Sequence, residues 1–288
     1  MYWTPVMTDL LLDVKNLRVA YPSQRGYTDA LKGISFQLKS GKLGIVGESG
    51  SGKSTAGRAL MRLLPPKARI TADRMHFGDT DLLTAPEARM RDIRGGEIAM
   101  ILQDPRYALN PLKTVLKQIT ESCMIHGRFS RAEARDRAMA MLEDVHIRDP
   151  KRVAGLYPHE LSGGMGQRVM IAMMLIPGPR LVIADEPTSA LDVTVRGQVL
   201  DILSELVEKQ GAGLVFISHD LPLVSSYCDE VLVMYGGKIM EKLAARDLSA
   251  ARHPYTIALN ESLPPLDREV GELKVPRHDP AWLEGESA

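Results

Sequence analysis

Short runs of apolar residues alternate along the chain with segments in which apolar residues recur at helical spacing. Five apolar runs have the length of buried strands, and they cover residues 43–46, 98–102, 181–184, 214–217 and 231–234. Helical spacing is clearest over residues 53–64, 115–125, 131–145 and 195–209. Strands that alternate with helices are typical of a mostly parallel sheet with both faces covered. The pattern therefore predicts an α/β protein.

The first forty residues have a different pattern, because apolar and polar residues alternate over 10–21 and again over 31–38. A period of two indicates strands with one exposed face. We therefore expect a small antiparallel sheet, with a polar turn over residues 22–29, ahead of the parallel one. After the first helix we expect a turn-rich stretch over residues 71–97. Between the second and third buried strands, helical spacing with charged faces predicts a helical insertion.

The segment between the first buried strand and the first helix matches G-x-x-x-x-G-K-[ST], a phosphate-binding loop. It consists of Gly47, Glu48, Ser49, Gly50, Ser51, Gly52, Lys53 and Ser54. The glycines allow a tight bend, so backbone N–H groups and a helix N-terminus face the phosphates. We expect Lys53 to lie along the β- and γ-phosphates and the Ser54 hydroxyl to bind Mg²⁺. The alternative, a glycine-rich turn that binds nothing, does not explain why strand, loop, lysine and helix occur together.

Polar residues follow the other buried strands at the point where each strand ends. Ligands of open α/β sheets bind outside the carboxyl ends of the strands, so these side chains are expected to converge. Asp185 suits a Mg²⁺ ligand, and Glu186 suits a group that orients or deprotonates the attacking water. Both could instead cap a following helix. His219 is a candidate γ-phosphate contact, while Gln103 carries the weakest signal, because a glutamine here is more often a loop hydrogen-bonding residue.

A second glycine-rich stretch covers residues 161–168, where Ser162 is placed to cap a helix that runs to Ile176. Such a helix N-terminus can bind an anion. One nucleotide does not need two of these motifs from one chain, so we infer that this motif completes the site of a partner copy. A flexible turn before a core helix is the alternative interpretation.

Composition narrows the class of protein only moderately. The 288 residues include 25% charged and 44% hydrophobic residues, with 36 basic and 36 acidic side chains, which does not indicate nucleic-acid binding through bulk charge. Cys123 and Cys228 lack metal-ligand spacing, so we expect two reduced thiols in a cytosolic protein. We also expect no signal peptide and no membrane span, since no apolar run approaches about 20 residues.

Together these motifs resemble the ATP-binding subunits of ABC transporters. The resemblance rests, in chain order, on residues 47–54, Gln103, residues 161–167, residues 181–186, residues 189–192 and His219. The oligopeptide, dipeptide and nickel importer branch is indicated by Gln103-Asp104-Pro105, Leu109-Asn110-Pro111, residues 190–195 and residues 253–256. The six ordered motifs identify the chain as a member of the ABC transporter family over residues 11–240, and the form of residues 47–54 also resembles that of the importer branch.

The resemblance implies a fold and a domain organisation. We expect a P-loop NTPase with a RecA-like, mostly parallel sheet, an antiparallel β subdomain and an α-helical subdomain at about residues 104–175. The ATPase domain is expected over residues 9–256. Residues 257–288 form a C-terminal extension that we expect to be loosely ordered, because it is rich in proline and charge.

The resemblance also implies a set of site residues. For the nucleotide these are Tyr21, Gly47, Glu48, Ser49, Gly50, Ser51, Gly52, Lys53, Ser54, Thr55, Gln103, Ser162, Gly163, Gly164, Gln167 and Asp192. For Mg²⁺ they are Ser54, Gln103 and Asp185, and for catalysis Glu186, His219 and Lys53. Tyr21 is expected to stack on adenine, the alternatives being that it is a buried strand tyrosine or that Tyr27 takes this role.

The implied partners are membrane permeases and, indirectly, a solute receptor. A second ATPase subunit, either a related chain or another copy, is expected in a head-to-tail dimer that encloses two ATP molecules. The chain is then a peripheral ATPase at the cytoplasmic face of the inner membrane, which drives uptake of peptides, nickel or a related solute. Other hypotheses are a soluble ABC ATPase that acts on nucleic acid or ribosomes, and a regulatory nucleotide-binding protein without turnover. We expect no iron–sulfur centre, because the tail after Leu263 contains no cysteine.

Overall fold

A computed structural model describes residues 10–127, residues 129–262 and Trp282. Its strands are β1 (Leu12–Ser23), β2 (Gly26–Leu38), β3 (Lys42–Val46), β4 (Arg69–Thr71), β5 (Arg74–Phe77), β6 (Thr80–Asp81), β7 (Ile98–Ile101), β8 (Leu181–Asp185), β9 (Gly213–Ser218), β10 (Glu230–Tyr235) and β11 (Lys238–Ala244). Its helices are α1 (Lys53–Leu60), α2 (Glu87–Gly96), α3 (Pro105–Ala108), α4 (Val115–His126), α5 (Arg131–Asp144), α6 (Pro150–Ala154), α7 (Gly163–Leu175), α8 (Val193–Gln210), α9 (Leu221–Tyr227) and α10 (Pro254–Glu261).

The chain divides into two compact units. The first unit comprises Met1–Ala85 and Val215–Ala288, and the second comprises Pro86–Leu214. The helices expected over residues 104–175 are α3 to α7, all within the second unit. The domain boundaries at residues 9, 256 and 288 stay predictions, and α10 runs across the one at residue 256. The C-terminal extension was predicted to be loosely ordered. Its residues after Ser262, apart from Trp282, lie outside the described ones.

The antiparallel sheet predicted near the N-terminus is present in the first unit. Its strand order is β2-β1-β5-β6, and β4 also pairs with β1. The turn predicted over residues 22–29 is present but shorter, because β1 and β2 remain paired as far as Ser23 and Gly26 and only Gln24 and Arg25 form the turn. The turn-rich reading of residues 71–97 was also wrong, since β5, β6 and α2 lie there. These segments escaped prediction because they are short or mostly polar, so no long apolar period marks them, although Met75 and Phe77 on β5 are buried.

The parallel strands of the first unit are buried along almost their whole length. Strands β11, β10, β3 and β9 lie in this order, with β10 parallel to β3 and antiparallel to β11. Every residue from Leu43 to Val46 is buried, as expected for a strand covered on both faces. Strand β11 was missed, because its sequence mixes charged and apolar residues and most of it is only partly buried.

The second unit combines a parallel strand pair with a helical layer. Strands β7 and β8 pair in parallel, with Ile98 opposite Leu181. Helices begin at side-chain caps, since Ser130, Asp149, Ser162 and Asp192 each accept a hydrogen bond from a backbone N–H of the first turn. These caps satisfy donors that a helix N-terminus otherwise leaves without partners. Among the residues that the structure describes, no helix is long and apolar enough to cross a bilayer.

A buried carboxylate ties three strands of the antiparallel sheet together. Asp13 on β1 is 8% exposed and accepts hydrogen bonds from Gln37 (2.9 Å) on β2 and Arg74 (2.9 Å) on β5. Burial alone raises the pKa of the Asp13 carboxyl, but these hydrogen bonds and the positive charge of Arg74 outweigh it. The pKa of Asp13 therefore lies below its ordinary value of 3.8.

A lowered folded-state pKa contributes stability above the unfolded pKa, and the contribution is lost as pH falls through the folded value. We predict that Asp13→Asn lowers the free energy of unfolding by about 1 kcal/mol at pH 7, a modest value because Arg74 is largely exposed. The difference in the free energy of unfolding between Asp13→Asn and the unsubstituted protein shrinks below about pH 4. Urea unfolding across pH tests this, with the exposed Asp136→Asn as the control; a pH-independent loss would contradict it.

Candidate functional site

The glycine-rich loop lies between β3 and α1, as the sequence predicts. Two of its glycines are required by the space around them. A Cβ atom on Gly47 would lie 2.0 Å from the Met234 carbonyl oxygen, and one on Gly52 would lie 2.8 Å from the Ala30 oxygen. Both have positive φ angles, 150° and 102°. The loop can therefore take this path only without side chains at these positions.

Lys53 is folded onto its own loop. It is 5% exposed, and its ammonium donates hydrogen bonds to the carbonyl oxygens of Gly47 (2.7 Å) and Glu48 (2.8 Å). Ser51 is also buried, and its hydroxyl has no hydrogen-bond partner among the described residues. Ser49 and Gly50 form an exposed loop tip. A buried cation and an orphaned hydroxyl in a cradle of glycines fit a ligand with several anionic oxygens, such as a polyphosphate.

Tyr21 lies at the side of this loop. Its hydroxyl is 3.4 Å from the Thr55 hydroxyl, so the tyrosine on β1 and the helix that follows the loop are in contact. Tyr21 is half-buried, which leaves part of its side chain exposed. The ring of Tyr27, in contrast, is covered on one face by the Arg69 guanidinium, which lies 3.7 Å from the ring centroid. Tyr21 therefore lies at the phosphate loop, whereas Tyr27 packs against Arg69, and the stacking of either ring on adenine stays a prediction.

His219 follows β9 in the same unit and is exposed. Its neighbours are anchored on both sides. The Ser218 hydroxyl accepts a hydrogen bond from the Asp220 N–H (3.0 Å), and the Asp220 carboxylate accepts one from the Leu223 N–H (3.0 Å) and caps α9. The backbone at His219 is held between these two bonds, so the histidine is presented from a fixed position at the strand end.

In the second unit, Asp185 and Glu186 stand at the end of β8 in different environments. Asp185 is 3% exposed, whereas Glu186 is half-buried. Glu186 adopts a left-handed backbone conformation with φ 49°, which is uncommon for a residue other than glycine. Its carbonyl oxygen accepts hydrogen bonds from the N–H (3.3 Å) and hydroxyl (3.2 Å) of Ser189. Backbone strain of this kind is concentrated at functional sites, and the strand pattern gave no sign of it.

Gln103 is exposed just after β7. The next residue, Asp104, caps α3 by accepting a hydrogen bond from the Arg106 N–H (2.9 Å). The chain therefore turns sharply from the buried strand into a short helix, and Gln103 lies at this turn. This arrangement agrees with a strand-end position for the glutamine.

The predicted cap at Ser162 is confirmed: its hydroxyl accepts a hydrogen bond from the Met165 N–H (3.4 Å) at the start of α7. Ser162 and Gly163 are exposed, and Gly164 is half-buried. The α7 N-terminus therefore faces outwards, beside a cleft of about 680 Å³. The charged lining of this cleft is mixed, with three arginines (Arg148, Arg152 and Arg168) and three carboxylates (Asp149, Glu160 and Asp192). The outward-facing N–H groups of the helix end are the feature that favours an anion.

Two residues of the expected set, Gln167 and Asp192, have structural roles. Gln167 is only 1% exposed, and its side-chain nitrogen has no partner within the described ranges, so it lies in the interior rather than at the open helix end. Asp192 is exposed and caps α8, where it accepts a hydrogen bond from the Val195 N–H (3.0 Å). A cap signal was available for Asp192 from its position before the helix.

A strand, a glycine loop and a helix whose first residue is a lysine folded back onto that loop define the class of P-loop nucleotide hydrolases. The chain belongs, more particularly, to the ABC transporter family. The family's model matches residues 31–189, which is more than half of the chain.

Relatives of known assignment cover nearly the whole chain. A probable peptide ABC transporter ATP-binding protein of Sinorhizobium fredii is 49% identical over 91% of this chain and 79% of its own length. The oligopeptide transport ATP-binding protein OppD of Salmonella typhimurium is 44% identical over 97% of this chain and 84% of its own. The dipeptide transport ATP-binding protein DppD of Haemophilus influenzae is 45% identical over 88% and 78%.

Solved structures support the same fold. A dimeric ATP-binding cassette in a post-hydrolysis state with ADP and phosphate has a TM-score of 0.70 and 27% identity, covering 82% of this chain and 99% of that one. A component of an ABC transporter complex from Clostridium perfringens has a TM-score of 0.71 and 27% identity, covering 84% and 92%. The predicted family, the α/β P-loop fold class and the identification as an ABC-type ATPase are confirmed.

Glu186→Gln keeps the shape of the side chain and removes its basicity. We predict that this variant binds ATP normally and hydrolyses it at least about 100-fold more slowly, the usual contribution of a positioned base. Single-turnover hydrolysis and nucleotide binding measure the two effects separately. The exposed Glu205→Gln on α8 is the matched control, and normal turnover by Glu186→Gln would remove this residue from the base role.

Proposed function

We propose that this chain is the ATP-hydrolysing subunit of an importer that takes up peptides. The observation that carries the proposal is the 44–49% identity, over most of both chains, to relatives named for oligopeptide, dipeptide or peptide transport. Nickel or a related small solute, the other cargo of the expected branch, is the alternative that an uptake measurement must separate from peptides.

The phosphate loop binds the nucleotide in this proposal. The N–H groups of residues 47–54, the Lys53 ammonium and the Ser51 hydroxyl supply donors to phosphate oxygens, Thr55 lies beside them, and Tyr21 supports the base. Lys53 exchanges its two carbonyl partners for phosphate, which keeps a buried cation paired throughout.

The Ser54 hydroxyl, the Asp185 carboxylate and the Gln103 amide oxygen would hold Mg²⁺, because all three are oxygen ligands of the kind that this ion prefers. Among the described residues no group of three His, Cys, Asp or Glu side chains could enclose a metal. This agrees with Mg²⁺ chemistry, because the ion is commonly held by one or two protein ligands together with nucleotide phosphates. When bound, the ion neutralises charge on the β- and γ-phosphates.

Glu186 accepts a proton from the attacking water or orients that water, and His219 contacts the γ-phosphate. The left-handed backbone at Glu186 turns the chain sharply after β8, so its side chain does not continue the alternation of the strand. Asp185 and Glu186 thus serve separate purposes, since one is buried as a metal ligand and the other remains accessible to water.

The α7 N-terminus serves the nucleotide bound by a partner ATPase, either a second copy or a related chain. Ser162, Gly163 and Gly164 present outward-facing groups, and Asp192 lies next to them at the same cleft. The proposal of a head-to-tail dimer is supported by the dimeric state named for two similar cassettes, with TM-scores of 0.70 and 0.68.

Comparison of Ser162→Ala with Ser130→Ala, a variant at another helix cap of the same unit, tests this role. We predict that Ser162→Ala and Ser130→Ala, which remove the caps of α7 and α5 in the same unit, each cost about 1 kcal/mol of stability. Only Ser162→Ala also weakens the ATP-bound dimer, by about ten-fold, because a hydrogen bond to a charged phosphate is lost. Sedimentation with ATP separates the outcomes, and equal dimerisation by both variants would refute the shared site.

A groove in the second unit is the proposed docking surface for a permease. It has a volume of about 1100 Å³ and is formed by α4, α5 and α6. Apolar side chains, including Met124 (43% exposed) and Ile125 (69% exposed), line it, and its rim is basic. The basic rim residues are Lys117, Arg131, Arg135 and Lys151. A short amphipathic helix with an apolar ridge fits such a groove. Docking there holds the chain at the cytoplasmic face of the inner membrane.

Membrane vesicles that carry the assembled complex test cargo and docking together. We predict ATP-dependent uptake of labelled peptide, whereas uptake of nickel alone would overturn the peptide assignment. Ile125→Asp buries a charge in the groove and is expected to abolish both uptake and co-purification with the permeases. Leu63→Asp, an exposed apolar position (48%) outside the groove, is the control and keeps both. Co-purification of Ile125→Asp at the normal level would refute the docking surface.

A further inference from the structure

One peptide group at the start of the phosphate loop is held from both sides. The carbonyl oxygen of Gly47 accepts a hydrogen bond from the Lys53 ammonium (2.7 Å), and the N–H of Glu48 donates to the Tyr255 hydroxyl (3.1 Å). These two atoms belong to the same planar peptide unit, so the two bonds together fix its orientation. Because Gly47 has no side chain to restrict its backbone rotation, such a peptide needs an outside restraint.

Tyr255 is itself positioned by a short chain of hydrogen bonds. The Glu241 carboxylate on β11 accepts from the N–H groups of Arg252 (2.8 Å) and His253 (3.2 Å). The Nδ1 atom of His253 in turn accepts from the Tyr255 N–H (3.2 Å) and caps α10. The first turn of α10 is thereby held on β11, and the tyrosine hydroxyl reaches the loop from there.

The Tyr255 ring is packed among aromatic side chains. It is fully buried, its centroid is 4.6 Å from that of Tyr235, and Trp282 lies 5.2 Å from it and 5.4 Å from Tyr235. Burial raises the pKa of the Tyr255 hydroxyl to about 12, so it stays neutral at physiological pH. Trp282 belongs to the C-terminal extension, which therefore contributes one wall of this cluster.

We propose that Tyr255 is a positioning residue for nucleotide binding, which holds the Gly47–Glu48 peptide so that Lys53 and the loop amides meet the phosphates. Trp282 secures Tyr255 from the side of the C-terminal extension. Trp282 is thus part of the support of the phosphate loop in the same chain.

Tyr255→Phe removes only the hydroxyl and leaves the ring in place. A correctly positioned loop binds the ground-state nucleotide and the transition state equally well, so its loss weakens binding without slowing the chemical step. We therefore expect Tyr255→Phe to raise the KM and the Kd for ATP about five-fold, which corresponds to one hydrogen bond, and to leave kcat unchanged. Thr256→Val is the matched control, because this neighbouring hydroxyl is also fully buried but has no partner among the described residues. A Tyr255→Phe protein with the ATP affinity of the control would overturn the proposal.

Trp282 is tested by a pair of variants in the full chain. Trp282→Ala is expected to raise the KM for ATP by at least about two-fold, and Trp282→Phe to restore most of it, because an aromatic contact is kept. Thermal unfolding checks that the Ala variant is folded under the assay conditions. An unchanged KM in folded Trp282→Ala would remove the extension from the account.

Discussion

The site depends on the pairing of a buried ammonium with the carbonyl oxygens of its own loop. A charge that is 5% exposed is tolerated only when it is hydrogen-bonded, and Lys53 meets this condition through Gly47 and Glu48. The same pairing fixes the path of the loop, which in turn requires glycine where the backbone passes Met234. This pairing holds the loop before a ligand binds, and in the proposed function a polyphosphate replaces the neutral acceptors of Lys53 by charged ones, which strengthens its hydrogen bonds.

In the proposed function, Ser162 and Asp192 combine nucleotide recognition with helix capping. Each accepts a hydrogen bond from the first turn of a helix. A cap keeps the helix N-terminus open to solvent while it satisfies one donor, so the remaining donors can face an anion. Loss of such a residue therefore affects stability and function together, and only comparison with a cap elsewhere in the same unit separates the two effects.

The parts of the site that follow from short-range rules could be predicted from sequence. The loop could be recognised because glycine spacing, Lys53 and the flanking elements are local, and the buried strands because their apolar runs are continuous. Strands β4, β5, β6 and β11 were missed because polar or mixed sequences carry no clear period. The left-handed Glu186, the buried Gln167 and the Tyr255 contact, 207 positions from its partner Glu48, arise from packing between distant segments. No local pattern encodes such contacts.

The account treats hydrolysis by this chain as coupled to the passage of a peptide through permeases. The most direct measurement is the ATPase rate of the complete complex, reconstituted with its receptor, with and without peptide. The account predicts a rate that rises severalfold when the peptide-loaded receptor is added, and that depends on intact Lys53. A rate that ignores the peptide, or that responds instead to nucleic acid, would contradict the transport function while leaving the family and the ATPase chemistry in place.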